Sequence, residues 1–97
     1  MNQIKVEQIS DGEKKKLGIP SSAAASGGWS VWECEPSTFD WQYSDTEIAY
    51  VYEGRVKVKT PTEEVSFGKN QLVTFPKGLK CTWEVLENIR KVYKFQR

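Results

Sequence analysis

The side chains in this sequence best suited to chemistry are Glu47, two cysteines and a dispersed set of aromatics, and there is no histidine among its 97 residues. The absence of histidine removes the commonest neutral-pH proton shuttle and metal ligand. Cys34 and Cys81 lack the Cys-x-x-Cys spacing and the partners that a zinc finger needs. Two cysteines are also too few for a disulfide scaffold, so in a reducing compartment both are expected as thiols. A reactive thiol requires a neighbouring cation or helix N-terminus to stabilise its thiolate. Lys80 adjoins Cys81 in sequence but faces the opposite side of a strand. Cys81 therefore reads first as a packed core thiol and second as a nucleophile, while Cys34 signals packing only.

The charge balance narrows the partners. Fourteen basic and thirteen acidic residues give a formal charge of +1, which argues against a dedicated nucleic-acid surface. Lys14-Lys15-Lys16 is the one tight basic run and is expected on a solvated helical turn or loop. No apolar stretch approaches the roughly 20 residues of a membrane span, and the first residues lack an apolar signal-peptide core. A cytoplasmic location is the expectation.

These groups must be positioned by β-structure. Apolar residues alternate with polar ones at Phe39-Trp41-Tyr43, Val56-Val58 and Cys81-Trp83-Val85, the period of a half-buried strand. Ile4 to Ile9, Trp29 to Cys34, Ile48 to Tyr52, Val65-Phe67, Leu72 to Phe75 and Val92 to Phe95 supply further strands. Glu53-Gly54 has the composition of a hairpin turn between Ile48–Tyr52 and Arg55–Lys59. Residues 11–28 read as a loop with a short helical turn around Lys14 to Leu17. Their small-residue stretch Ser21 to Gly28 has little to bury, so a mobile surface loop is expected there. About nine short strands separated by close turns indicate a sandwich or barrel in a single domain, residues 1–97. Four each of Trp, Tyr and Phe, burying about 150–250 Å² apiece, would fill much of its core.

Two spacings are more specific. Glu47-x6-Gly54, followed by Gly68-x7-Pro76-x-Gly78-x2-Cys81, resembles the paired motifs of the cupins. The stretches Glu53-Gly54-Arg55-Val56 and Phe75-Pro76-Lys77-Gly78 also resemble a subgroup of very small, RmlC-like cupins related to the cupin domain of (S)-ureidoglycine aminohydrolase. The resemblance covers Trp32 to Phe95. It implies an all-β double-stranded β-helix, a jelly-roll-like cupin barrel of two antiparallel sheets, with a site in the barrel mouth. It also implies a homodimer paired through its sheets. Tyr50 and Tyr52, alternating away from Ala49 and Val51, are expected as an exposed aromatic strip serving that contact.

The departures from the family pattern carry the functional argument. A cupin metal is held by three histidines and one glutamate. Here Cys81 stands at one histidine position. Trp41 and Tyr43, or Asp40 and Gln42 if the spacing is counted one longer, stand at the His-x-His pair. The apolar alternation of Phe39, Trp41 and Tyr43 favours the first alignment. Glu47 and Cys81 are then the only natural ligands left, too few to hold a transition metal firmly. No metal or other cofactor is expected.

Glu47, if it points inward, is a carboxylate among aromatic rings and suits a general acid or base. The plainer reading is a glutamate bonded to a tyrosine, lysine or arginine and serving the fold. Trp41, Tyr43, Phe75 and Trp83, with Trp32 as a further candidate, are expected to line the interior, where they either stack on a ligand or simply fill the barrel. The leading expectation is a metal-free cupin binding a small-molecule metabolite through Trp41, Tyr43, Glu47, Phe75, Cys81 and Trp83. The alternatives are a small-metabolite enzyme, aminohydrolase- or isomerase-like, using Glu47 with Cys81, and an oligomeric scaffold with no ligand.

Overall fold

The computed structural model describes residues 3–96. Those residues form seven strands and one helix: β1 (Lys5–Gln8), α1 (Asp11–Leu17), β2 (Ser30–Cys34), β3 (Ser37–Gln42), β4 (Thr46–Lys59), β5 (Glu64–Gly68), β6 (Gln71–Phe75) and β7 (Lys80–Gln96). All pairings are antiparallel.

The two long strands organise the molecule. The first half of β4 and the second half of β7 pair with each other inside the order β1-β6-β4-β7-β2. Their other halves, Val56–Lys59 and Thr82–Val85, pair again, now flanked by β5 and β3. One hydrogen-bonded set thus serves two faces that fold over a common core, the barrel expected from the strand pattern. Nine short strands become seven because β4 and β7 each run through a position where a break is expected.

Glu53-Gly54 is that position on β4, and it is not a hairpin turn. The ladder to β7 continues on both sides, with Glu53 opposite Arg90 and Arg55 opposite Glu87, through register shifts between them. These shifts are β-bulges, which bend a strand without ending it. Gly54 sits at φ 102°, and a Cβ there would lie 2.4 Å from the Asn88 carbonyl oxygen and 2.7 Å from Ile89 Cα. Only glycine permits both that dihedral and that approach.

The inner core combines Val51, Val56, Val58, Val73 and Ile89 with the rings of Tyr43, Phe67, Phe75 and Trp83. A second apolar cluster lies on the outer face of the β6-β4-β7-β2 region. There Tyr50, Leu72 and Val92 are covered by Ile19 and Trp29, with Ile9 and Tyr52 at its edge. The segment before β2 is therefore a packed strap. Ser10 caps α1 through a reciprocal bond with Glu13, and Gly18 ends it in the left-handed conformation. Tyr52 donates a hydrogen bond to the Pro20 carbonyl.

Two expectations change here. Tyr50 is only 2% exposed and Tyr52 is partly buried, so the Tyr50–Tyr52 strip packs under Ile19 and Trp29 instead of standing exposed. Lys14 leaves the solvated role expected of its run and places its ammonium 4.6 Å from the Tyr50 ring centroid and 5.6 Å from that of Tyr52, within cation–π range. No helix among the described residues is long and apolar enough to cross a membrane.

Candidate functional site

Strand pairing decides which side chains meet inside the barrel. Alternate residues share a face, so Glu47, Ala49 and Val51 of β4 point to the same side. Across the ladder they face Phe95, Tyr93 and Lys91 of β7. On the far side of β7, Trp32 of β2 is the direct cross-strand neighbour of Lys91. On the far side of β4, Phe75 of β6 is opposite Glu47. Ala49, fully buried, sits between the Glu47 and Val51 levels on that face.

Lys91 Nζ donates to Glu47 Oε2 at 2.9 Å, and both side chains are 6% exposed. Four rings surround the ammonium: Trp83 at 4.8 Å, Trp32 at 5.1 Å, Tyr93 at 5.4 Å and Phe75 at 5.9 Å to the centroids. Burial holds the ammonium below the ordinary lysine range, while the Glu47 carboxylate opposes that shift.

This pair borders a cavity of about 140 Å³ walled by Trp32, Phe39, Trp41, Glu47, Trp83, Lys91, Tyr93 and Phe95. Phe39 stacks on Trp83 at 6.0 Å, and Trp32 meets both rings edge-on. At the rim, Trp41 is 52% and Phe95 40% exposed. The cavity thus has an apolar mouth and wall, with one charged pair at its inner end.

The six residues expected to bind a ligand divide between three places. Glu47, Trp41 and Trp83 border the cavity. Tyr43 and Phe75 form the packing behind it: they stack at 4.8 Å, and Trp83 Nε1 donates to the Tyr43 hydroxyl at 3.1 Å. Burial, and then the Glu47 charge, keep that hydroxyl protonated well above the usual tyrosine range. Cys81 packs in the same core cluster as Tyr43, Phe75 and Trp83 and feels the Glu47 charge. It lines a different space, however, an open depression of about 600 Å³ shared with Asp40, Trp41, Lys59, Pro61 and Thr82. Its thiol donates to the Trp41 carbonyl at 3.7 Å and is pushed up to about 11, chiefly by burial. A thiol so shifted is a poor nucleophile at neutral pH. Trp32, a further candidate from sequence, also lines the cavity, and Phe39, Tyr93, Phe95 and above all Lys91 complete the site beyond the residues singled out there. A signal for Lys91 existed: it alternates with Ile89 and Tyr93, so it shares an inward face with them.

A divalent metal does not fit this arrangement. An ammonium already occupies the Glu47 carboxylate, and its charge repels a second cation. No group of three or more His, Cys, Asp or Glu residues able to hold a metal occurs among the described residues.

Comparison with known proteins was consistent with this architecture. A family model described as the EutQ-like cupin domain matches residues 21–93. The acetate kinase EutQ of Clostridioides difficile (strain 630) is 32% identical over 66 residues, 68% of this chain and 42% of that protein. The chain therefore spans less than half the length of that relative. Among solved structures, a DUF861 family protein from Thermotoga maritima is 39% identical with a TM-score of 0.87, covering 97% of this chain and 100% of its own. The C. difficile EutQ protein gives a TM-score of 0.62 at 31% identity, over 67% of this chain and 52% of its own. A cupin-2 domain protein from Shewanella frigidimarina, 16% identical with a TM-score of 0.60 over 91% of this chain and 94% of its own, shares the fold.

Proposed function

The chain belongs to the EutQ-like cupin domain family, and from that premise we propose that it is a metal-free cupin that binds a small molecule in its barrel mouth. The observation that carries this reading is the buried Glu47–Lys91 pair at the inner end of an aromatic cavity. A fixed ammonium beside the carboxylate stands in for a bound cation: it supplies positive charge without a metal. A ligand with a short apolar body would lie against Trp32, Phe39 and Phe95 and present one polar atom to Lys91. At about 140 Å³, the cavity is smaller than the roughly 300–1,000 Å³ of sites for drug-sized ligands. A nucleotide is too large for it, so the kinase activity in the name of the C. difficile relative is not carried over.

An enzyme using Glu47 with Cys81, along the lines of the aminohydrolase likeness, is less well supported. Those two groups border different cavities, and the Cys81 thiol is held protonated.

Titration of the untagged protein with butan-1-ol, followed by tryptophan emission, tests the reading. Saturable change is expected, because Trp32 and Trp83 wall the cavity, and it should vanish when Phe39→Trp fills the space. A linear, unsaturable response identical in that variant would overturn the proposal. Elemental analysis of the same preparation should find no stoichiometric transition metal. Near-stoichiometric manganese, iron, nickel or zinc would overturn the metal-free part.

A further inference from the structure

Binding of a small molecule uses the charge of Lys91 but not its chemistry: the cavity places a primary amine at its inner end. A buried ion pair is a costly way to hold a fold together, since well-packed apolar residues of similar volume commonly do as well or better. The Lys91 nitrogen has the two neighbours that condensation with a carbonyl compound needs. Glu47 lies 2.9 Å away and can take and return protons. The open side is an apolar cavity walled by Trp32, Phe39, Trp83 and Phe95, where a desolvated lysine becomes nucleophilic. The geometry points to Lys91 as a covalent site for a short aliphatic aldehyde, held as a protonated imine with Glu47 as its counterion. This inference rests on the small-molecule reading of the same cavity and names the class of ligand.

The step balances without an oxidant or a second reactant. Glu47 takes one proton from the Lys91 ammonium and frees the nitrogen lone pair. That pair attacks the carbonyl carbon, a C–N bond forms, and the π pair of the carbonyl moves to oxygen. The oxygen takes the proton held by Glu47 to give a carbinolamine. A second proton from nitrogen reaches the same oxygen through Glu47, the C–O bond breaks, and water departs as the C=N bond closes. Ammonium and aldehyde become protonated imine and water, and Glu47 ends as a carboxylate. The positive charge stays on the nitrogen, so the ion pair and its aromatic surroundings are retained. Burial, which holds the Lys91 ammonium below the ordinary lysine range, enlarges the share of free amine available for attack.

Size sets the class. A volume of about 140 Å³ corresponds to roughly four or five waters at about 30 Å³ each, room for an alkyl chain of a few carbons. The rings along the wall favour that chain over a polar one.

Reductive trapping decides the matter on the unmodified protein. Substoichiometric butanal is added with sodium cyanoborohydride, which reduces the imine and leaves a butyl group on the nitrogen, and the labelled lysines are located by peptide mass spectrometry. Butylation of Lys91 several-fold above exposed Lys59 and Lys77 is expected, with butan-1-ol competing. Labelling of Lys59 and Lys77 with Lys91 unmodified, while butan-1-ol still changes the tryptophan emission saturably, would overturn the imine and leave the binding reading standing. Loss of both the Lys91 label and the saturable emission response would overturn the two together.

Discussion

At the scale of single residues, the Glu47–Lys91 pair has a testable energetic signature. Each partner compensates a charge that is otherwise buried against rings. Lys91→Met should therefore cost about 3–5 kcal/mol, because it strands the carboxylate, whereas Glu47→Leu combined with Lys91→Met should fall within roughly 1 kcal/mol of the parent. Urea unfolding of the two single variants and the double variant measures this, and additive losses would contradict it. The pair was only partly legible in the sequence. Glu47 stands out through its spacing to Gly54, and a lysine is among its natural partners. Which lysine depends on register across β4 and β7, which sets Lys91 opposite Val51, two residues inward of Ala49 on the face that carries Glu47. Cys81 gives a second prediction at this scale. Its thiol is raised from an ordinary 9.0 to about 11 by burial. Between those values the unfolded chain ionises and the folded one does not, so stability is lost as pH rises from 9 to 11. The loss should approach about 2 kcal/mol and disappear from the pH slope of Cys81→Ala, as read by urea midpoints at pH 8 and 11.

At the scale of elements, the alternating apolar residues locate most strands, because a face buried in a barrel imposes a period of two on each of them. The pattern is silent about whether two such stretches are one strand. Cys81 to Val85 and Val92 to Phe95 look separate, since Leu86, Glu87 and Asn88 between them are exposed, yet β7 is continuous through them. Glu53-Gly54 has the same ambiguity, because glycine suits a hairpin turn and a bulge equally. The two roles differ in what glycine must avoid. In a bulge pressed against β7 it avoids the Asn88 and Ile89 backbone; in an exposed turn it only relieves a dihedral. Gly54→Ala should accordingly cost about 3 kcal/mol or more, the upper end of local backbone strain. Gly78→Ala, at φ 85° with nothing within 4 Å of the added methyl, should cost about 1 kcal/mol. Thermal unfolding of both variants distinguishes them, and equal losses would make Gly54 a simple turn glycine.

At the scale of the whole molecule, the sheet has two apolar faces and only one barrel interior. The second face, carrying Tyr50, Leu72, Val92 and the partly buried Val31, Ile48 and Tyr52, is closed by Ile19 and Trp29. Small residues at Ser21 to Gly28 conceal this role, because they belong to the run between two anchors and not to the anchors themselves. The strap is seated mainly by packing. The buried Trp29 indole N–H has no hydrogen-bond partner among the described residues, and Lys94 lies over the Trp29 ring at 4.7 Å. Its removal should therefore uncover an aromatic surface without opening the barrel. Ile19→Ser replaces a buried anchor that is 7% exposed with a polar group, at a cost of about 2–4 kcal/mol to the strap. The exposed face should then associate with its copy in a second molecule, as contiguous apolar patches do. Sedimentation velocity of parent and variant over a concentration series reads the outcome. A rise in mass with concentration in Ile19→Ser, beyond that of the parent and with saturable butan-1-ol binding retained, is expected. Loss of the butan-1-ol response alongside that rise would instead mean that the strap supports the barrel interior as well as its outer face.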